Sequence, residues 1–415
     1  MCKMKKKFFI FIITSLFINL FAVQINIAVE SIEDQIQLLT SQIENFEKQN
    51  PDIDVEIYSI PSYPGSTYKF YGTFVVTNAK EPTILSLDME WINEFSPFLV
   101  NLNQDSEYFD VNNLDPQILE MVTINGELKA IPYYVETGVL YYRKDLLEKY
   151  GYDVPTTWNE LITIAKDISQ KEGIEGFVWP GARYEELTTF FLEILYSHGG
   201  KIFEGDHLVL EQAENKEKAL LSLNLLNNII SEEISPKGVT TYREEECRNI
   251  FQSGDAVFMR NLTYAWHLLN SEDSAVNGKV GIAPIPKTEF TNQHVSVLEG
   301  KALAINPNSS DEEREAAKKF IKYLTSNESQ TQRLIQLNFL PTNLEVFNEP
   351  TISEVDPNLL NFRSSLENLV LKPKSPIYTE ISFAIQNNVY DALTGRISVE
   401  RALNNMISEI EFLLR

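Results

Sequence analysis

The sequence predicts an α/β protein built from more than one domain, and three observations carry that expectation. The chain has 415 residues, more than one hydrophobic core usually organises. Apolar residues make up 43% and charged residues 23%, an ordinary globular balance that argues against disorder and against a polytopic membrane protein. Strand and helix patterns also alternate through the first third, as a parallel sheet with crossover helices requires.

The elements follow in order. Residues 3–7 are lysine-rich, and 8–21 are almost wholly apolar, broken by Thr14, Ser15 and Asn19. A positive segment, a short apolar run and a small residue describe a secretory signal peptide over 1–22, cleaved near Ala22. The run is shorter than the roughly 20 residues needed to span a bilayer. Cys2 precedes the run, so it is not the cysteine that carries lipid in a lipoprotein. A strand is expected over 24–29. The helix over 33–49 carries Ile36, Leu39, Ile43 and Phe46 at amphipathic spacing. Asn50-Pro51-Asp52 ends it, Ile53, Val55 and Ile57 alternate as a second strand, and 82–87 reads as a third. Further strands at 129–134 and 139–142 flank Glu136-Thr137-Gly138. Thr157 with Glu160, and Ser310 with Glu313, form capping boxes that open helices. A last helical stripe runs from Val399 through Ala402, Leu403, Met406, Ile410 and Leu413.

The chemistry that is missing narrows the function. The formal charge is −24, and loss of the first 22 residues, with four lysines and no acid, takes it to −28. Such a body repels phosphate backbones, which excludes nucleic acid as a partner. No phosphate-binding, dinucleotide-binding or nucleophile-elbow glycine motif occurs. His198, His207, His267 and His294 show no metal-ligand spacing, so neither metal nor cofactor is expected. Cys247, the sole cysteine after the expected cleavage, reads as a core-facing helix residue. The carboxylates are too numerous to pick out a catalytic pair, which leaves a secreted carbohydrate-active enzyme open on composition alone.

Five segments carry a resemblance. They are Tyr141-Tyr142-Arg143-Lys144-Asp145-Leu146-Leu147 with Gly151 and Pro155-Thr156-Thr157-Trp158; Phe251-Gln252-Ser253-Gly254-Asp255-Ala256 with Arg260-Asn261 and Tyr264-Ala265-Trp266; Gly278-Lys279-Val280-Gly281 with Pro284-Ile285-Pro286; Lys319-Phe320-Ile321-Lys322-Tyr323-Leu324-Thr325-Ser326 with Gln330; and Pro373 and Pro376 before Tyr378-Thr379-Glu380. In this order the chain resembles the extracellular solute-binding proteins of sugar ABC transporters, trehalose/maltose-binding proteins in particular, from residue 24 to the C-terminus.

The resemblance implies a two-lobe, type II periplasmic-binding-protein fold with three hinge crossovers. The N-terminal lobe would comprise 24–131 and 287–340, and the C-terminal lobe 136–284 and 345–415. Hinges would lie at Ile131-Pro132, Ala283-Pro284 and Leu340-Pro341. It implies a monomeric, soluble periplasmic or extracellular protein that closes on a di- or oligosaccharide and delivers it to the subunits of an ABC permease. No catalysis is expected.

It also implies site residues. Asp88, Tyr134, Glu136, Tyr264 and Gly300 match family positions that line the cleft. Carboxylates that accept paired hydroxyls, and aromatic faces that stack on a ring, suit a sugar. The chain departs from the family at Gln35, where a carboxylate is usual, at Thr67 or Tyr68 for an arginine, and at Leu262 and Lys301 for tryptophans. Lys372 stands for a second arginine. Replacement stacking faces are expected from Tyr63, Tyr68, Trp91, Tyr184 and Trp266, best from Tyr184 and Trp266. If Lys301 and Lys372 both enter the cleft they suit the carboxylate or phosphate of an acidic sugar; the alternative is that they pair with Asp88 or Glu136, or face solvent. The lost tryptophans leave a non-sugar solute open.

Overall fold

The computed structural model describes residues 22–62 and 65–415, so the expected signal segment falls outside the described residues except for Ala22. The chain opens with strand β1 (Val23–Glu30), helix α1 (Glu33–Gln49), β2 (Ile53–Ile60), α2 (Ser66–Thr77) and β3 (Ile84–Asp88). Helix α1 buries Leu39, Ile43 and Phe46 of the stripe its spacing foretells, together with Leu38, while Ile36 is only partly buried. β1 pairs in parallel with both β2 and β3, and its centre, Ile25 to Ala28, is buried throughout. Crossover helices make such a parallel arrangement possible.

β4 (Ile131–Glu136) ends the first pass, and β5 (Gly138–Arg143) begins a second sheet after a single residue. The second unit then runs through helix α3 (Trp158–Glu172), β6 (Glu175–Val178), α4 (Glu185–Ser197), α5 (Ala213–Ser231), α6 (Glu244–Gln252), β7 (Ala256–Leu262) and β8 (Val280–Ala283). β9 (Glu299–Ile305) returns to the first sheet, followed by α7 (Asp311–Leu324) and α8 (Asn327–Leu337). Helices α9 (Tyr378–Leu393) and α10 (Val399–Leu413) close on the second unit. The strand order is β2-β1-β3-β9-β4 in one sheet and β8-β5-β7-β6 in the other. The two-lobe α/β architecture expected from the sequence is the one observed. Both capping boxes form, each with the serine or threonine side chain and the glutamate three residues on exchanging bonds with the backbone. Cys247 is fully buried in α6.

Strand pairing moves two of the expected crossings. β4 stays registered against β9 from Ile131 to Glu136, so the first crossing is Glu136-Thr137-Gly138 and not Ile131-Pro132. The second is not at Ala283-Pro284. Lys287 still bonds to Thr156 and Trp158, Thr288 to Ser197, and Val297 sits in the core of the second sheet. The chain rejoins the first sheet only at Glu299. At the third, Leu340 exchanges backbone bonds with Val135, and Val346, Phe347, Ile352 and Phe362 beyond it bury in a cluster that takes residues from both sheets.

Candidate functional site

The ends of three strands meet beside the first crossing. Asp88 ends β3 and lies opposite Lys301 of β9. The Lys301 Nζ sits 2.6 Å from Asp88 Oδ1 and 3.3 Å from Oε1 of Glu30, the last residue of β1. Thr67 Oγ1 donates to the same Glu30 oxygen at 2.9 Å. Tyr134 lies on the other side of Lys301 in register and stacks on Phe339, centroids 4.1 Å apart with planes at 9°. Glu30, Gln35, Tyr134, Lys301 and Arg333 line one cavity of about 30 Å³. Carboxyl ends of strands in open α/β sheets are where ligands bind.

Gly300 makes this arrangement possible. Its φ is +136°, and a Cβ there would stand 2.2 Å from the Tyr134 carbonyl oxygen. A register shift follows between Lys301 and Ala302.

Next along β9, Glu299 lies directly opposite Glu136. Burial, reinforced by Glu299 and Glu244, pushes the Glu136 carboxyl up to about 8. It accepts the Tyr264 backbone N–H, while its Oε1 is buried without a partner. Glu299 has the opposite fate. Burial works against its ionisation, but Lys372 overrides burial and brings it down to about 2.

Lys372 is a buried hub. Its Nζ lies 2.6 Å from Glu299 Oε1, 2.8 Å from Glu90 Oε1 and 3.0 Å from Glu185 Oε1. Ser382 Oγ also donates to Glu185, at 2.6 Å, as does Tyr378. Burial raises Glu90 to about 7 despite Lys372. Arg260 of β7, fully buried, adds a second cation, paired with Glu193 at 2.8 Å and with Glu186.

These contacts correct part of the expected site. Lys301 pairs with Asp88, as the alternative reading had it, whereas Lys372 pairs with Glu299, Glu90 and Glu185 and not with Asp88 or Glu136, and neither lysine presents an unmatched charge to an anionic sugar. Trp266 is 5% exposed, donates its indole N–H to Asp356 at 2.7 Å and packs edge-on against Phe362, so it is a core residue and not an open stacking face. Tyr184 is 9% exposed, bonds Glu244 at 2.6 Å and carries the Arg243 guanidinium over its ring. Tyr264, partly buried, donates to Glu245 at 2.8 Å. Tyr68 bonds Glu94 and packs against Trp91, centroids 5.5 Å apart. Leu262 is buried, and Tyr63 lies outside the described residues. Sequence reading missed Glu30, Glu90, Glu185, Glu299 and Arg333. Asp88 was found by the family resemblance; its place at the carboxyl end of a strand, which Glu30 shares, is a signal that could have found Glu30, whereas Arg333 had no signal, being a polar residue on an ordinary helix.

The sequence model of the bacterial extracellular solute-binding proteins matches residues 30–331. The chain belongs to this family. A Deinococcus radiodurans relative named "Probable ABC transporter-binding protein" is 31% identical to this solute-binding protein over 366 residues, 86% of each chain. Maltose-bound T. maritima MalE3 is 42% identical, with a TM-score of 0.88, over 94% of this chain and all of that one. The GacH receptor of Streptomyces glaucescens shares the fold at 22% identity, with a TM-score of 0.83 over 95% of this chain and 98% of that one. The family and these neighbours are binding proteins. Among the described residues of this solute-binding protein, no helix is long and apolar enough to cross a membrane, and no cluster of ligating side chains could hold a metal.

Proposed function

We propose that this protein captures a neutral di- or oligosaccharide between its two lobes and passes it to the permease of an ABC transporter without making or breaking a bond. The observation that carries the reading is the set of strand ends beside the crossing. Glu30 and Asp88 supply acceptors, Lys301 a donor, and Tyr134 and Glu136 stand at the step from one sheet to the other. A solute touching this set and Tyr264 of the second lobe would favour closure. The maltose bound by T. maritima MalE3 supports a glucose-type solute. The matched charges on Lys301 and Lys372 favour a neutral sugar over an acidic one. The protein acts in this reading as a secreted monomer without a lipid anchor, taking neither nucleic acid nor cofactor.

Calorimetry with maltose, maltotriose and glucuronate, paired with small-angle scattering, tests it. Heat of binding and a smaller radius of gyration are expected with the neutral sugars alone. An unchanged shape with no heat from any neutral sugar overturns the reading, as would release of hydrolysis products on long incubation. Asp88→Asn is expected to weaken maltose binding about tenfold, the cost of one charge-assisted hydrogen bond.

A further inference from the structure

Arg333, on α8, differs from every other buried cation described above. It is 2% exposed, and among the described residues no carboxylate pairs with it. Its Nη2 donates to the Tyr133 carbonyl at 3.0 Å, and its guanidinium lies 4.2 Å from the centre of the Tyr133 ring. Nε and Nη1 are buried with no hydrogen-bond partner among the described residues. Arginine keeps its charge and presents these donors in a fixed fork, and leaving buried donors unmet is costly. Arg333 forms part of the wall of the cavity shared with Glu30, Gln35, Tyr134, Lys301 and Phe339.

The size and charge of that cavity say what would complete it. With about 30 Å³ for the centres of water-sized groups, the cavity suits a small polar arm of a solute. Glu30 and the neighbouring Asp88 balance Lys301 and Arg333, so the charges sum to zero and no free anion is called for. A neutral arm with an acceptor oxygen fits, and an exocyclic hydroxymethyl group has that size and chemistry.

We propose that Arg333 is a specificity-determining contact that donates through Nε or Nη1 to an exocyclic hydroxyl of the bound sugar. The inference rests on the sugar-binding reading above. Selectivity then comes from the donors that go unmet when the hydroxyl is missing, the strongest kind of discrimination a polar site offers.

The test is calorimetry with maltose and its two monodeoxy analogues, each lacking one 6-hydroxyl, on the wild type, Arg333→Met and Arg333→Lys. The wild type is expected to bind one analogue at least tenfold more weakly than maltose. Both variants should bind maltose and that analogue alike, because the fork is gone. A wild type that binds all three sugars equally, or variants that keep its preference, overturns the inference while leaving sugar binding intact. A wild type that binds no neutral sugar overturns the sugar reading and this inference with it. Should the variants fail to fold, a crystal structure of the wild type with maltose decides. A sugar oxygen within hydrogen-bond distance of Nε or Nη1 supports the contact, and a water there with the sugar elsewhere overturns it.

Discussion

Lys372 shows how much one side chain can organise. Three carboxylates surround an ammonium with no solvent exposure, so each charge depends on the others. Removing one partner from a buried ion group typically costs about 3–5 kcal/mol, because the remaining charges are stranded. Lys372→Met is therefore expected to lose about that much stability in urea denaturation, and adding Glu299→Gln should recover part of it. Glu136 and Glu299 make opposite predictions about pH. Glu136 titrates near 8 when folded, above an ordinary carboxyl near 4.5, so the native state holds the extra proton across that interval. Stability from this group is thus greatest at low pH and declines as pH rises from about 5 to 8. Glu299 titrates near 2, so its contribution is present above about 4.5 and is lost as pH falls toward 2. Glu136→Gln should flatten the melting temperature across pH 5 to 8 and leave the acid limb unchanged. A slope that survives the substitution would assign it to another group, such as Glu90.

At the scale of elements, the turns and caps do work that the cores cannot. Gly300 holds β9 against β4 with a φ of +136°, where a side chain would meet the Tyr134 carbonyl. Gly300→Ala combines backbone strain of about 1–3 kcal/mol with that collision. It should lower the urea midpoint and weaken sugar binding together, since Lys301 follows directly on the same strand. Ser310→Ala removes only the cap of α7, far from the site, and should cost about 1 kcal/mol with affinity unchanged. The two substitutions separate strand geometry, which shapes the site, from helix capping, which does not. The N-termini of α3 and α7 were legible because a capping box is a four-residue pattern with its own hydrogen bonds.

Across the whole molecule, a few polar contacts tie the two lobes away from the crossings. Thr379 of α9 donates to Glu94 at 3.1 Å, and His267 lies 3.7 Å from Asp34 of α1. Such contacts bias a two-state equilibrium by their difference in energy between open and closed arrangements. Combining Thr379→Val with Asp34→Asn should enlarge the mean radius of gyration of the free protein in solution scattering and weaken sugar binding by the same shift. The crossings should be indifferent to this pair, because they are made of paired strands and not of side-chain contacts.

The amino-acid sequence by itself determined the opening alternation of strands and helices, the amphipathic faces, both capping boxes and the placement of Asp88 at a strand end, because each is written in neighbouring residues. Only the tertiary structure decided where the chain crosses between lobes, since a strand ends where its pairing partner ends. It also decided what the lysines hold. Lys372 and Glu90 are 282 residues apart, and Arg333 meets the Tyr133 carbonyl from 200 residues away. Neither local periodicity nor residue type carries information about partners at that distance. For the same reason Trp266 and Tyr184, aromatic and well placed along the chain, turned inward, where Asp356, Phe362 and Glu244 supplied packing and hydrogen bonds that an exposed stacking face would lack.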